Sequence, residues 1–260
     1  MGIVELGDEN FSLVLSGGGA LGISHLGVLY DMEQKDLSPS EIIGTSMGGI
    51  IGACLAIGMH EKQIHERLKS FAAVSKWIKF TLGGNSIVDS ARIERIFDSI
   101  FGDRMMSDVK IPLKIIVANL TTGDKRVFGA GDKVMIKDVI LATMAIPGIF
   151  KEKIIEGKIY GDGFLCENLG LNECSYHNIL AVDAIGYNSF AKEMPDSIFK
   201  TFNIVEMLER SIRLLMYNQT KQILDGVDKN ILLLEPNTSN YKTFHFHKVD
   251  KIRELGIGLI

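Results

Sequence analysis

The hydrophobic positions of the first sixty residues form two repeats of a short apolar run, a glycine-rich turn and a helical pattern. The run from Phe11 to Leu15 ends at consecutive glycines, and apolar residues at helical spacing follow from Ile23. A second run, Ile42-Ile43, ends at another glycine-rich turn, and a strongly apolar segment continues to Met59. This order predicts a βαβα unit with parallel strands and right-handed crossovers.

The remaining chain alternates predicted helices and strands. Helices are predicted for 60–77, 90–100, 135–145 and 199–224, and the segment 249–255 closes the chain. Strands are predicted for 113–119, 178–183 and 230–234, with hairpins involving 125–128 and 154–160. We therefore expect one α/β domain over residues 1–260, in which the 10–185 region carries the motifs and 186–260 completes the same domain.

Composition and charge narrow the function classes. Lys and Arg total 28 against 32 Asp and Glu, a net charge of −4, which argues against a strongly basic nucleic-acid binder. Three cysteines are too few for a disulfide framework, so we expect a reducing compartment. The N-terminus lacks the basic region of a secretory signal. The localisation predicted is cytoplasmic, with peripheral membrane association as an open alternative.

Two uncharged stretches, 11–30 and 42–59, are long enough to be considered as membrane spans. Glycine clusters interrupt both of them, and each divides into a short apolar run followed by a helical pattern. A buried strand followed by a buried helix explains this arrangement better than a transmembrane helix.

The second glycine-rich turn contains a candidate nucleophile. Gly44-Thr45-Ser46-Met47-Gly48 fits G-x-S-x-G, in which a serine occupies a sharp strand-to-helix turn and small neighbours let the chain bend. The motif alone is short enough to occur by chance. The apolar run before it and the helical pattern after it favour a nucleophile elbow.

The first glycine-rich turn, Ser16-Gly17-Gly18-Gly19, would expose backbone N–H groups at a helix N-terminus. Such groups suit a phosphate or the oxyanion of acyl transfer. The spacing Gly17-x-Gly19-x-x-Gly22 also matches a dinucleotide fingerprint, but no acidic residue ends the second strand. Further along, Asp162 stands between Gly161 and Gly163, an arrangement that is also common in ordinary turns.

Taken together, these motifs resemble the patatin-like phospholipase family in its bacterial form. The resemblance includes the Gly17–Gly19 loop, the elbow at Ser46 and the Asp162-Gly163 pair, and it extends to the segments 22–29, 112–123 and 142–150. It covers 10–185 closely and the remainder loosely. It implies a three-layer α/β/α fold with a mostly parallel central sheet and the elbow after an early strand.

The resemblance also implies a function: a serine-dependent lipid acyl hydrolase that cleaves carboxylic esters through a Ser–Asp dyad. Ser46 would be the nucleophile, Asp162 the general base, and the N–H groups of Gly17, Gly18 and Gly19 the oxyanion hole. Gly22, Gly44, Gly48 and Gly163 would support these motifs. The implied partners are an acyl-lipid substrate and a transient membrane or micelle interface. No metal, cofactor or nucleic acid is implied, and the oligomeric state stays open.

The chain departs from the family pattern at three positions. Leu21 replaces a basic residue of many members, Phe164 is larger than the usual small residue, and Gly170 replaces a proline shortly after Asn168. The loss of charge at Leu21 bears on the preference for charged lipid heads. The other two changes bear on loop geometry.

Two other classes of protein compete with the dyad enzyme. The first is an α/β-hydrolase with a Ser-His-Asp triad, which would combine Ser46 with Asp162 or Asp183 and a downstream histidine. The second is a non-catalytic lipid-binding module with a surviving elbow. For the histidines themselves we expect structural roles: His25 satisfied within the core, and His245 and His247 on a surface strand.

Two apolar segments are candidates for contact with lipid. In the long predicted helix, Ile204, Met207, Leu208, Ile212, Leu215 and Met216 are at helical spacing, and we expect core packing rather than membrane docking. The stretch from Trp77 to Leu82 is a better candidate for a lid, although the end of a core helix is the simpler interpretation.

Overall fold

The structure, a computed structural model, describes residues 10–75, 90–190 and 204–260. Its strands are β1 (Phe11–Leu15), β2 (Glu41–Thr45), β3 (Leu113–Asn119), β4 (Lys125–Phe128), β5 (Lys153–Ile155), β6 (Lys158–Asp162), β7 (Asn178–Val182) and β8 (Asn230–Leu234). Its helices are α1 (His25–Gln34), α2 (Met47–Ala56), α3 (Glu61–Ser75), α4 (Ser90–Phe101), α5 (Ile136–Thr143), α6 (Ile204–Leu224) and α7 (Val249–Glu254). The lid candidate Trp77–Leu82 lies outside the described residues.

The described strands form one sheet in the order β5-β6-β3-β2-β1-β7-β8, and β4 also pairs with β3. Five strands, β3, β2, β1, β7 and β8, run parallel to one another. The other three are antiparallel additions around β3. The mostly parallel sheet and the predicted βαβα start are therefore confirmed.

Both faces of the sheet are buried, which explains the continuous apolar runs of its central strands. In β1, Leu13 and Leu15 pack into one apolar cluster, while Val14 packs into another on the opposite face. In β2, Ile42 and Ile43 divide between the same two clusters. This alternation gives a three-layer α/β/α architecture, with helices on either side of the sheet.

Three sequence predictions differ from the structure. The segment after the first glycines begins as a 3₁₀ turn, Gly19–Ser24, before α1 starts at His25. His245 and His247 are not on a strand: His245 precedes a 3₁₀ turn, Phe246–Lys248, because the chain bends there into α7.

The third difference concerns α6, whose apolar residues at helical spacing the sequence predicts to pack in the core. Met216 is buried, but Met207, Leu208 and Leu215 are 48%, 59% and 62% exposed. The core-packing prediction is therefore wrong for these three residues. Helical spacing showed that they share a side of the helix, but it could not show whether another element covers that side.

Candidate active site

Ser46 occupies a sharp turn between β2 and α2. Its backbone has φ 52° and ψ −122°, a left-handed conformation that a residue with a β-carbon seldom adopts. The surrounding glycines make the turn sterically feasible. A β-carbon on Gly48 would overlap the carbonyl oxygen of Leu15, and one on Gly44 would lie 2.6 Å from the Gly49 Cα.

Asp162 reaches the same place from the end of β6. Thr45 of β2 is paired with Ile116 of β3, and the next residue of β3, Val117, is paired with Asp162. β3 therefore lies between the two candidate residues, and neighbouring strands are about 4.8 Å apart. Side chains from Ser46 and Asp162 can meet across this single strand.

The two side chains are directly hydrogen-bonded. The hydroxyl of Ser46 donates to Oδ2 of Asp162 at 2.6 Å, and the Phe164 N–H donates to Oδ1 at 3.1 Å. Asp162 is fully buried, and Ser46 is nearly so. Burial raises the pKa of Asp162 to about 7, while the hydrogen bonds from Ser46 and Phe164 partly oppose that rise. A carboxylate with this pKa is a far stronger base than a free aspartate.

Thr143 fixes the backbone of the serine, a role that the sequence analysis did not assign. Its hydroxyl accepts the N–H of Ser46 at 2.9 Å and donates to the carbonyl of Ile116 at 2.7 Å. Thr143 thereby ties the turn to β3, the strand that separates Ser46 from Asp162. The only indication in the sequence was its place within the 142–150 segment of the family resemblance.

The glycine-rich loop lies beside this pair. Gly18 and Gly19 line the same cavity as Ser46 and Asp162, and both have positive φ values, 144° and 55°. In the described part of the chain, neither N–H donates to another protein group. The N–H of Gly17, in contrast, donates to the Asn168 carbonyl at 3.3 Å. Gly18 and Gly19 are therefore the loop residues whose donors remain available to a ligand.

The other glycines of the motifs are in close contact with neighbouring elements. A β-carbon on Gly22 would lie 2.8 Å from the Met47 side chain, and one on Gly163 would overlap the Ile116 carbonyl oxygen. Both glycines therefore allow the loop and the strand end to approach the elbow. Their contribution is to packing around the site rather than to chemistry.

The histidines are all within the described residues, and none of the six lines the cavity or bonds to Ser46 or Asp162. His25 is buried, and its Nε2 lies 2.9 Å from the Ser16 carbonyl oxygen. Burial lowers the pKa of His25 to about 4, against a smaller opposing effect of that hydrogen bond. The position agrees with the expected burial of His25 in the core, but the histidine is only half satisfied, because its Nδ1 has no hydrogen-bond partner among the described residues. The geometry offers no arrangement resembling a Ser-His-Asp triad.

A cavity of about 220 Å³ opens above the Ser46–Asp162 pair. Apart from the two glycines, the pair and Thr243, its walls are mostly apolar and come from the 146–149 turn, Phe164, the α6 residues Leu208, Ile212 and Met216, and Phe244. Glu209 also reaches it, but its carboxylate is bonded to Arg213 and to the Thr243 N–H. Such a site suits a largely apolar ligand with one polar reacting group.

The three positions that depart from the family pattern, Leu21, Phe164 and Gly170, are each explained by the side chains packed around them. Leu21 is buried in one apolar cluster with Phe164, Ile185 and Met216. At Gly170 the backbone φ of −75° suits proline, but a β-carbon there would lie 2.5 Å from Cδ1 of Ile116. The glycine is therefore explained by a close approach to β3.

The described residues contain no group of three or more His, Cys, Asp or Glu side chains placed to hold a metal ion. They also contain no helix that is both long and apolar enough to cross a membrane.

Comparisons with known proteins agree with the site. A mixed α/β fold that carries a serine elbow opposite a buried aspartate defines the class, and residues 13–174 match the family model for patatin-like phospholipases. The chain belongs to the patatin-like phospholipase family.

Among curated proteins, lysophospholipase NTE1 of Scheffersomyces stipitis is 25% identical over 97% of this chain and 18% of its own length. An uncharacterized NTE family protein of Mycobacterium bovis is 25% identical over 65% of this chain and 28% of its own. This chain therefore spans 18% to 28% of the length of these two relatives.

Among solved structures, the crystal structure of VipD from Legionella pneumophila matches with a TM-score of 0.51 at 12% identity, over 96% of this chain and 66% of that one. At this identity the match supports the fold alone.

Proposed function

We propose that this chain is a lipid acyl hydrolase that cleaves carboxylic esters through Ser46 and Asp162. The observation that carries the proposal is the 2.6 Å hydrogen bond from the Ser46 hydroxyl to a fully buried carboxylate, at the floor of an apolar cavity. Family membership and relatives named as lysophospholipases support the same reaction class.

We infer the following reaction. The Ser46 oxygen attacks the ester carbonyl as its proton passes to Oδ2 of Asp162. The N–H groups of Gly18 and Gly19 stabilise the negative oxygen of the tetrahedral intermediate. Asp162 then returns the proton to the departing alcohol. Water hydrolyses the acyl-serine in a second round, with Asp162 again accepting and returning a proton.

Burial removes the main difficulty of a dyad without histidine. A carboxylate with an ordinary pKa near 4 would hold a proton from serine too weakly. The pKa of about 7 brings Asp162 into the range where a general base works best at neutral pH. The apolar walls of the cavity favour acyl lipids, and a lysophospholipid is the substrate to test first.

The test compares Ser46→Ala with Ser24→Ala. Ser24 is also a buried serine, and its hydroxyl donates to the Leu21 carbonyl and not to Asp162. We expect Ser46→Ala to abolish fluorophosphonate labelling and hydrolysis of both lysophosphatidylcholine and p-nitrophenyl butyrate, while Ser24→Ala retains them. Labelling or turnover that survives in folded Ser46→Ala would reject this serine as the nucleophile. Lysophosphatidylcholine binding without any turnover by the wild type would favour a non-catalytic lipid-binding module.

A further inference from the structure

One side of α6 presents large apolar side chains to solvent. Met207, Leu208, Leu214 and Leu215 are 48%, 59%, 50% and 62% exposed, and we call these four residues the apolar face of α6. The opposite side of the helix, with Arg213, Met216 and Thr220, is buried. One side of the helix therefore packs in the protein interior, and the other leaves large apolar side chains in solvent. Exposed apolar patches of this kind mark sites of contact with a membrane or another protein.

The apolar face is also free of charge. Between Met207 and Asn218, the remaining exposed positions of α6 are Ser211 and Asn218. The charged residues of this stretch, Glu209, Arg210 and Arg213, are buried or half-buried. A partner that binds through this face must therefore be recognised by burial of apolar surface and not by ion pairs.

The face is continuous with the candidate active site. Leu208 is more than half exposed, and it also lines the cavity that contains Ser46. One and two turns further along α6, Ile212 and Met216 continue the cavity wall inward. An acyl chain that left an apolar medium at Leu208 would meet apolar side chains until it reached the serine.

We propose that the apolar face of α6 docks on a phospholipid bilayer and that Leu208 marks where acyl chains enter. The inference rests on the proposed function, because it takes the occupant of the cavity to be an acyl lipid. A second copy of this chain fits the face less well: a protein seated on Leu208 would close the cavity mouth, whereas a bilayer supplies the ligand there.

The test measures binding to phosphatidylcholine vesicles by co-sedimentation. It uses the full chain with Ser46→Ala, so that no lipid is hydrolysed. We expect Leu214→Gln with Leu215→Gln to lower vesicle partitioning at least about tenfold. A tenfold change corresponds to about 1.4 kcal/mol, which is less than the burial of two leucine side chains provides. Neither residue lines the cavity, and both are exposed, so the fold is expected to persist.

Ile154→Gln is the matched control. Ile154 is 62% exposed, as Leu215 is. It lies on β5, at one edge of the sheet, whereas the end of α6 packs near β7 and β8 at the other edge. We expect this variant to partition within about twofold of its parent. An equal loss in both variants, or no loss in the double variant, overturns the docking face.

A substitution that makes the face more apolar should increase vesicle binding. Ser211 lies between the apolar residues of the face, and its hydroxyl donates to the Met207 carbonyl in the same helix. We expect Ser211→Leu to raise partitioning several-fold. Because the face carries no charge, addition of phosphatidylserine or of 0.5 M salt should change partitioning little. Binding that requires anionic lipid would contradict the proposal.

Two further measurements separate the possible failures. With Ser46 restored, the double variant should hydrolyse monomeric p-nitrophenyl butyrate within about twofold of wild type but lose activity on vesicles. Equal losses on both substrates would show an effect on the cavity and overturn the docking role. If the wild type showed no Ser46-dependent turnover, the proposed function would be refuted. Co-sedimentation would still test the docking face, because it does not depend on turnover. A concentration-dependent dimer that the double variant abolishes, with no vesicle binding, would assign the face to a second copy.

Discussion

Two strand ends in this protein carry a buried aspartate in almost the same local setting. Asp162 ends β6, and Asp183 follows β7. Both are fully buried, and each accepts the backbone N–H of the residue two positions later, from Phe164 and Ile185. Burial is the main cause that raises the pKa of each carboxyl, to about 7 and about 6.

The two ends differ in what lies opposite. Asp162 receives the hydroxyl of Ser46 at the floor of the cavity. Asp183 lies beside Ser16 and Thr220 and is not among the described residues that line the cavity. Burial and a raised pKa therefore do not by themselves mark a functional carboxylate. The neighbouring nucleophile and access to a ligand distinguish the two.

The largest expected difference is in turnover. Asp162→Asn should lower kcat for p-nitrophenyl butyrate roughly 10³-fold, because no base then accepts the serine proton. Asp183→Asn should stay within about tenfold of wild type. Steady-state kinetics, with circular dichroism to verify folding, measures both. If Asp183→Asn lost as much activity as Asp162→Asn, contact with Ser46 would not be what distinguishes the two aspartates in function.

The loop beside Asp162 allows a second comparison. Gly19→Ala keeps the N–H, but its β-carbon would lie 2.6 Å from the carbonyl oxygen of Thr243, so the loop must shift and displace the donor. The variant should lower kcat about 100-fold with a smaller effect on KM, since an oxyanion donor acts mainly in the transition state. Gly102→Ala is the control: its φ of 54° nearly equals the 55° of Gly19, but a β-carbon there would meet nothing within 4 Å. Equal losses in the two variants would indicate general backbone strain instead of a lost oxyanion contact.

The pH dependence of turnover sharpens the assignment. Asp162 must be ionised to accept a proton, so kcat/KM should rise with pH and level off above the pKa of about 7. Below that pKa, each pH unit should lower the rate about tenfold. Asp183→Asn should keep the same midpoint. A midpoint near 4 in the wild type would mean that burial does not control the base.

Stability gives the smallest expected effect. The carboxyl of Asp162 has a pKa of about 7 when folded against 3.8 as its ordinary value, so the folded state binds more protons between these limits. The contribution of Asp162 to the free energy of unfolding should therefore fall as pH rises from about 4 to 7 and stay lower above 7. At pH 8, Asp162→Asn should exceed wild type by on the order of 2 kcal/mol.

Urea unfolding at pH 5 and pH 8 measures this effect, which should be much smaller at pH 5. For Asp183→Asn, the gain in stability over wild type should stop growing near pH 6, because the folded pKa of Asp183 is about 6. A gain for Asp162→Asn that did not grow with pH would attribute it to packing rather than to charge.

The sequence was sufficient wherever a pattern is local. The paired apolar runs and glycine turns at the start of the chain correctly predicted β1, β2 and the helices that follow them. The glycines at 44 and 48 could be recognised because a strained serine turn tolerates few other residues. The importance of Asp162 came only from the family resemblance, since its Asp-Gly setting is equally typical of an ordinary turn.

The tertiary structure decided whatever depends on neighbours far apart in the chain. Strand order alone brings Ser46 and Asp162, 116 residues apart, to either side of β3. The support of Ser46 by Thr143 depends on the same packing. The sequence placed the apolar residues of α6 on one side of a helix, but a periodic pattern does not reveal whether that side is covered. Only the tertiary packing of α6, whose Met216 joins the apolar cluster of Leu21 and Phe164, left Leu208 and Leu215 in solvent.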